Sequence, residues 1–110
     1  MFGQTAPEVP SVTVDEVEAL MSEGALLVDI REQNEWDEAR IAGAVLKPMS
    51  TINDWYHELP RDTKVILYCR SGRRSAQAVE ALVSQAGFDN VLNMTGGIIA
   101  WAQAQLAVET

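Results

Sequence analysis

The sequence predicts an α/β fold, with a central parallel sheet of about five strands and helices on both of its faces. Residues 25–30 and 64–69 are mainly apolar runs without alternation, which is typical of strands that are covered on both sides. Residues 75–86 instead carry apolar side chains at helical spacing. Because strands and helices alternate along the chain, a parallel sheet is favoured, and such sheets bind ligands beyond the carboxyl ends of their strands.

The first half of the chain opens with residues 1–10, which contain two prolines and no periodicity and are predicted to be a flexible lead-in. A capping box formed by Thr13 and Glu16 predicts a helix that runs to about Ser22. After the strand at 25–30, the predicted elements are a short polar helix at 32–40, a turn with a short strand at 41–46 and a helix at 51–59.

The second half contains the two clearest elements, the strand at 64–69 and the helix at 75–86, which Gly87 ends. A last strand is predicted at 90–94, and the pair Gly96-Gly97 then turns the chain into a terminal helix. Residues 11–106 are predicted to form a single domain, followed by a short C-terminal tail at 107–110, since 110 residues suit one compact core.

The charge distribution excludes several classes of partner. The formal net charge is −8, which argues against nucleic acid or an anionic membrane as the main partner. Three of the eight basic residues nevertheless lie in one short stretch, at Arg70, Arg73 and Arg74. A cationic cluster in an otherwise acidic chain suggests that a small anion binds there, although a solvated surface patch would show the same composition.

The single cysteine, Cys69, excludes an intramolecular disulfide and a thiolate metal cluster. A lone cysteine fits a reducing compartment, and residues 1–10 lack the features of a signal peptide, so we expect a cytoplasmic protein. The chain has no metal-ligand spacing, Walker loop or dinucleotide fingerprint, and we therefore expect neither a metal nor a cofactor.

The order strand, cysteine, four residues, arginine, helix carries the predicted chemistry. Gly72 permits a bend that turns successive peptide N–H groups inward, which forms an anion nest around Cys69. The helix that follows adds the positive end of its dipole, and the arginines add formal charge. All of these favour the thiolate, so the pKa of Cys69 is expected to fall and the sulfur to act as a nucleophile on an exposed turn.

A cradle of this kind also holds an anionic group that is bonded to the attacking sulfur. Thiosulfate, phosphate and a terminal persulfide anion all meet that description, so the loop geometry alone leaves the chemistry open. The competing interpretation is that Cys69 is an ordinary buried thiol at the end of a strand. The placement of Gly72 and the arginines at a strand–helix junction argues against it.

Residues 68–75, with the letters YCRSGRRS, resemble the active-site loop of single-domain rhodanese-type sulfurtransferases. Three further segments, 27–32 with Glu35-Trp36, 41–44 and 96–101, resemble other parts of that family in the same order, so the likeness covers about residues 12–101. The resemblance implies a rhodanese-like fold and a catalytic Cys69 that carries sulfane sulfur as a persulfide. Many members have His where this chain has Arg40, a position that we interpret as structural.

A mechanistic hypothesis built on this resemblance gives roles to the neighbours of Cys69. The implied anion-binding loop consists of Arg70, Ser71, Gly72, Arg73, Arg74 and Ser75. Arg70 and Arg73 would steer an anionic sulfur donor, whereas Arg74 would brace the loop through a carboxylate such as Asp29 or Glu35. Asp29 and Arg31 are supporting candidates, because Asp29 ends a buried strand and is expected to accept hydrogen bonds from loop amides or Arg31.

Three functional hypotheses follow. The first is a sulfurtransferase that passes sulfur from thiosulfate or a related donor to cyanide, glutathione or a protein thiol. The second is a phosphatase or arsenate reductase on the same fold. Phosphatases of this fold have one more residue between Cys and Arg, and arsenate reductases often use a second cysteine, which this chain lacks. The third is a non-catalytic sulfur carrier or interaction module. A module used only for docking would not need the intact cysteine and arginine-rich loop, whereas a sulfur carrier overlaps with the first hypothesis.

Overall fold

The computed structural model describes residues 9–110, so residues 1–8 of the predicted lead-in lie outside the described part. The strands are β1 (Ser11–Val12), β2 (Leu26–Asp29), β3 (Arg40–Ile41), β4 (Val45–Leu46), β5 (Val65–Tyr68), β6 (Val91–Met94) and β7 (Val108–Glu109). The α-helices are α1 (Val14–Ser22), α2 (Gln33–Glu38), α3 (Ile52–Trp55), α4 (Arg73–Ala86) and α5 (Gly97–Gln103). Two short 3₁₀ turns, Met49–Thr51 and Tyr56–Glu58, flank α3.

Five strands form one parallel sheet in the order β1-β6-β5-β2-β4, which confirms the predicted α/β architecture. β5 lies at the centre of the sheet, and all four of its residues are fully buried because helices cover both faces. The register pairs Tyr68 with Asp29 of β2 and Leu67 with Asn93 of β6. The carboxyl ends of the three central strands therefore meet at one edge, and Cys69 is the first residue beyond that edge.

Two apolar clusters, one on each face of the sheet, hold the helices in place. On one face, alternate strand residues such as Val28 and Leu67 pack with Val79 and Leu82 of α4 and with Trp55. On the other face, Leu27, Ile66 and Tyr68 pack with side chains of α1 and α5. Because α4 begins only four residues after Cys69, this packing fixes the position of the loop between them.

The segment predicted as one helix at 51–59 is instead three short pieces. Trp55 leaves the helical conformation, with φ −124°, and its indole N–H donates to the carbonyl of Pro48 at 2.8 Å. That bond holds the segment close to the chain that precedes it. The apolar spacing of Ile52, Trp55 and Leu59 is compatible with either arrangement, so periodicity did not distinguish them.

The C-terminal residues 107–110, predicted as a tail, contain the short strand β7. β7 pairs antiparallel with β3, matching Arg40 with Glu109 and Ile41 with Val108. The indole of Trp101 also donates to the carbonyl of Ala107 at 2.9 Å. A strand of two residues is too short to show an alternating apolar pattern, so only its pairing with another strand identifies it. Arg40, interpreted above as structural, lies in this small sheet rather than in the loop around Cys69.

Candidate active site

The Cys69 loop runs from the end of β5 to the start of α4. Gly72 is the residue before α4 and adopts the left-handed conformation, with φ 95°. A Cβ atom at this position would lie 3.0 Å from the peptide nitrogen of Gly96, so the turn also needs glycine for close approach to the next segment. The bend that the sequence predicts at Gly72 is therefore present, and it directs the chain back over Cys69.

Three hydrogen bonds converge on the sulfur atom of Cys69. The peptide N–H of Gly72 donates to Sγ at 3.1 Å and that of Ser75 at 3.4 Å, while the Ser75 hydroxyl lies 3.5 Å away. Cys69 itself is 1% exposed, which corrects the expectation of a sulfur on an exposed turn. The exposed residues of the turn are Arg70, Ser71 and Arg73. The backbone amides that donate to Sγ point inward, and the sulfur atom lies beneath the turn.

The electrostatic balance at Cys69 favours the thiolate. Burial is the largest single influence and raises the pKa of the thiol, since a charged sulfur loses hydration. The hydrogen bonds from the hydroxyl and the N–H of Ser75, together with those from the amides of Gly72 and Ser71, lower the pKa by more than burial raises it. The net result is a pKa below the ordinary value of a cysteine. Hydrogen bonds, rather than exposure to water, therefore lower the pKa of this sulfur.

Arg74 is anchored by Glu35 of α2. Its two terminal nitrogens donate to the two carboxylate oxygens of Glu35 at 3.0 and 2.9 Å, which is a bidentate pair. The carboxylate that braces Arg74 is thus Glu35 rather than Asp29, a choice between two residues that the sequence did not decide. The pair raises the pKa of Arg74, and the charge of Cys69 contributes further to that rise.

The remaining arginines of the loop are placed differently. Arg70 and Arg73 are exposed, and neither forms an ion pair with any of residues 9–110. Arg70 also lines an open cavity of about 280 Å³ beside the loop, together with Arg31, Ile98 and Ile99. Their positive charges are therefore available to an anion that approaches from solvent.

The Glu35→Gln substitution tests the brace through its pH dependence. The hydrogen bonds from Arg74 lower the pKa of Glu35 to about 2, against about 4.3 for an unfolded glutamate. A carboxylate with a lowered folded-state pKa stabilises the fold above its unfolded pKa, and that contribution is lost as pH falls towards about 2. We expect Glu35→Gln to reduce the free energy of unfolding at neutral pH by about 1–2 kcal/mol, a value discounted because the Arg74 side chain is 37% exposed.

Urea unfolding at a series of pH values measures this effect. The gap between wild type and Glu35→Gln should be constant above about pH 5 and should close as pH approaches about 2. Glu38→Gln, an exposed position on the same helix, is the matched control and should show little change at any pH. A gap that persists unchanged at the lowest pH would show that the carboxylate charge is not responsible.

Asp29 and Arg31 form a buried ion pair at the same edge of the sheet. Asp29 is 0% and Arg31 5% exposed. Arg31 donates through Nη2 to Asp29 Oδ2 at 2.7 Å and through Nε to Oδ1 at 3.0 Å, and its Nη2 also donates to the carbonyl of Ala39 at 2.7 Å. Neither side chain has a hydrogen bond to Cys69 among the described contacts. The pair therefore stabilises the segment that follows β2, because Arg31 links Asp29 to the carbonyl of Ala39.

The start of α5 supports the Cys69 loop from the other side, which the sequence analysis did not anticipate. The N–H of Ile98 donates to the carbonyl of Cys69 at 2.9 Å, and that of Ile99 donates to the carbonyl of Arg70 at 3.1 Å. A Cβ at Gly97 would lie 2.3 Å from the oxygen of Arg70, so only glycine allows this contact. The glycine pair before the helix is the available signal, but a turn alone accounts for it equally well.

Asn93 is the second residue that the sequence analysis missed. It lies on β6, is 6% exposed, and its side-chain oxygen contacts the hydroxyl of Ser75. The signal in the sequence was one polar residue in an otherwise apolar strand, close to the end where ligands bind. Within residues 9–110, no cluster of His, Cys, Asp and Glu side chains has the arrangement of a metal site, and no helix has the length and apolar character needed to cross a membrane.

The fold and the site together define a cysteine-dependent class of protein, in which a loop between a parallel strand and a helix surrounds the sulfur with peptide N–H groups. The comparison with known families specifies that class. The description "Rhodanese-like domain" matches residues 13–104, and the chain belongs to this family. The resemblance noted in the sequence is thereby confirmed.

Relatives support sulfur transfer in general. A "Sulfurtransferase" from Allochromatium vinosum is 46% identical over 87 residues, which are 79% of this chain and 80% of that protein. "Thiosulfate sulfurtransferase GlpE" from Pseudomonas fluorescens is 34% identical over 94 residues, covering 86% of this chain and 85% of that protein. "Probable adenylyltransferase/sulfurtransferase MoeZ" from Mycobacterium tuberculosis is 46% identical over 79 residues, 70% of this chain but only 20% of that longer relative.

The structural comparison agrees. A crystal structure of a rhodanese-related protein from Thermoplasma volcanium superposes with a TM-score of 0.81 at 30% sequence identity, covering 91% of this chain and 97% of that one. Together with the sulfurtransferase relatives, this likeness supports an enzyme of the rhodanese type, with sulfur donors and acceptors as its partners in general.

Proposed function

We propose that this protein moves sulfane sulfur from thiosulfate, or a related donor, to a thiophilic acceptor through a persulfide on Cys69. The observation that carries the proposal is the set of hydrogen bonds from Gly72 and Ser75 to Sγ of Cys69. They lower the pKa of the thiol, and a thiolate is the form that attacks sulfur. The name of the GlpE relative supports thiosulfate as the donor.

In the first half-reaction, the Cys69 thiolate attacks the outer sulfur of thiosulfate. A new sulfur–sulfur bond forms on Cys69 while the sulfur–sulfur bond of thiosulfate breaks, and sulfite leaves with the bonding electron pair. The total charge is unchanged, because a thiolate and a thiosulfate dianion become a persulfide anion and a sulfite dianion. Arg70 and Arg73, exposed and unpaired among the described residues, would attract the dianion and stabilise it during the attack.

In the second half-reaction, an acceptor attacks the terminal sulfur of the persulfide. Cyanide would leave as thiocyanate, and a glutathione or protein thiolate would leave as its own persulfide; in each case the electron pair of the broken bond returns to Cys69. The peptide N–H groups around Sγ suit a species that alternates between thiolate and persulfide anion. Because the donor leaves before the acceptor reacts, we expect ping-pong kinetics.

The second candidate, phosphatase or arsenate reductase activity, is favoured by one observation, since the same ring of N–H groups would accept a tetrahedral oxyanion. The four-residue spacing between Cys69 and Arg74, rather than five, argues for the sulfur-handling alternative. A non-catalytic sulfur carrier would share only the first half-reaction. The name of a relative from Bacillus subtilis, "Putative sulfur carrier protein YrkF", supports that hypothesis.

A cytoplasmic location of the protein stays a prediction.

Intact-protein mass spectrometry after incubation with thiosulfate tests the proposal. We expect wild type to gain the mass of one sulfur atom and to lose it on addition of cyanide, with thiocyanate released in equal amount. Cys69→Ala should gain nothing, because Cys69 is the only cysteine in the chain. Ser84→Ala, an exposed position on α4, is the control and should behave as wild type.

Three other results would contradict the proposed function. Failure of wild type to take up sulfur from thiosulfate or from glutathione persulfide would remove sulfur transfer altogether. Hydrolysis of a phosphate ester, or reduction of arsenate with glutathione, would instead support the second candidate. Uptake of sulfur without release to cyanide, glutathione or a protein thiol would reduce the role to that of a carrier.

A further inference from the structure

The hydroxyl of Ser75 faces two partners with one proton. Its Oγ atom lies 3.5 Å from Sγ of Cys69 and in a short contact with the side-chain amide of Asn93. Ser75 is 0% and Asn93 6% exposed, so water cannot supply the missing partner for either group. A serine hydroxyl donates one hydrogen bond at a time, and the two contacts therefore cannot both be donations from Ser75.

The charge state of the sulfur decides the direction of both bonds. A thiolate has no proton and can only accept, so the Ser75 hydroxyl must donate to Sγ for this bond to form. The oxygen of Ser75 is then left with lone pairs alone, and the group that faces it must be a donor. The two ends of an asparagine side chain are nearly identical in shape, and the NH₂ end of Asn93 fits the same position as its oxygen.

Asn93 is held independently of the loop that it contacts. It lies on β6 directly opposite Leu67 of the central strand, and its own peptide N–H donates to the carbonyl of Pro10 at 2.8 Å. The sheet therefore fixes the backbone from which the Asn93 side chain extends, whereas Ser75 belongs to the first turn of α4. A rigid group on the sheet that orients a hydroxyl on the neighbouring helix is a positioning arrangement.

We propose that Asn93 is a positioning residue, whose side-chain NH₂ donates to Ser75 Oγ and so directs the Ser75 hydroxyl proton at the sulfur of Cys69. The inference rests on the proposed function in that it concerns the thiolate nucleophile of the same site. It adds that the chain contains a polar relay from β6 through α4 to the sulfur. Asn93 touches no reacting atom and acts only through Ser75.

The charges around the sulfur are separate from this relay. The charged side chains of the loop and of its ion pairs are Arg70, Arg73, Arg74 and Glu35, and the pair of Asp29 and Arg31 lies at the same edge of the sheet. α2 also carries the exposed Asp37 and Glu38, α4 carries the exposed Glu80, and β5 ends in the titratable Tyr68. β6 and α5 carry none. Removal of Ser75 or Asn93 leaves all of these charges in place, so a change in the ionisation of Cys69 would report the hydrogen bonds rather than a lost charge.

The experiment is a pH titration of the thiolate ultraviolet absorbance of the sulfur-free protein. The variants are Ser75→Ala, Asn93→Ala and the double substitution, and each is corrected with its own Cys69→Ala counterpart. At the pH where wild type is half ionised, we expect Ser75→Ala and Asn93→Ala each to lower the ratio of thiolate to thiol by about three- to tenfold. The double variant should match Ser75→Ala alone, since Asn93 has no route to the sulfur without the hydroxyl.

Two results would overturn the proposal: an unchanged titration in Asn93→Ala, or losses in the two single variants that multiply in the double variant. Asn34→Ala and Ser84→Ala, both exposed, are the matched controls and should titrate as wild type. Should Asn93→Ala not fold, Asn93→Leu has nearly the same size without polar atoms and carries the same expectation. Because no sulfur donor is present, this result is independent of the mass measurement that tests sulfur transfer.

Discussion

Gly97→Ala should lower the free energy of unfolding by about 3 kcal/mol or more and should abolish sulfur uptake by Cys69. A Cβ atom at Gly97 would lie 2.3 Å from the carbonyl oxygen of Arg70 and 2.5 Å from that of Cys69. Both are backbone atoms, so no side-chain rotation relieves the overlap. The φ of 62° adds the strain of a left-handed conformation. The loop and α5 must separate, and the hydrogen bonds from Ile98 and Ile99 break.

Gly87→Ala is the control for the conformational part of this effect. Gly87 also has a positive φ, 72°, but a Cβ there would meet no atom within 4 Å. We expect it to cost only about 1–2 kcal/mol and to keep sulfur uptake, because α4 ends far from Cys69 along the chain. Urea unfolding and intact mass after thiosulfate treatment measure the two quantities. Equal losses in the two variants would mean that the contact with the Cys69 loop has no consequence of its own.

Asp29→Ala is expected to destabilise the protein by about 3–5 kcal/mol, because it leaves the guanidinium of Arg31 buried without its counter-charge. Arg31 is 5% exposed and makes its side-chain hydrogen bonds to Asp29 and to the carbonyl of Ala39. Water cannot replace the lost carboxylate without opening the edge of the sheet. The Cys69 loop lies beside this edge, so partial opening would also disturb the site.

The surface pair of Lys47 and Glu58 is the comparison. Its atoms are 3.5 Å apart and the Glu58 side chain is 58% exposed, so Glu58→Ala should change the free energy of unfolding by no more than about 0.5 kcal/mol. Replacing both partners, as Asp29→Ala with Arg31→Met, should recover part of the loss, since no buried charge then remains. If Asp29→Ala were as mild as Glu58→Ala, the buried pair would not be a determinant of stability.

Local patterns predicted the elements that position Cys69. The apolar runs at 25–30 and 64–69 and the helical spacing at 75–86 correspond to β2, β5 and α4, each within two residues at its ends. These elements can be identified without knowledge of their neighbours. A strand buried on both faces and a helix buried on one face each produce an apolar pattern within a single segment. The capping box of Thr13 and Glu16 was also readable, since both of its partners are local.

Within the site, local sequence patterns predicted the conformation of the Cys69 loop but not its contacts with other elements. The bend at Gly72 and the inward N–H groups follow from residues that are adjacent in sequence. The carboxylate that braces Arg74 could not be chosen in this way. The sequence offered Asp29 and Glu35, and only the tertiary structure, which brings Glu35 of α2 to Arg74, selected Glu35. Asn93 and Gly97 were missed because each contacts the loop from a separate element, 18 residues after Ser75 in the case of Asn93 and 27 residues after Arg70 in the case of Gly97.

The sequence by itself determined the alternation of strands and helices, the position of Cys69 at the carboxyl edge of the sheet, and the glycine bend that gathers peptide N–H groups. Tertiary structure decided which groups complete the surroundings of the sulfur: Asn93 from β6, Gly97 from α5 and Glu35 from α2. It also decided that Cys69 is covered rather than exposed. The physical reason is range, because hydrogen bonding within a turn depends on neighbouring residues, whereas contacts between elements depend on the strand order and register of the whole sheet.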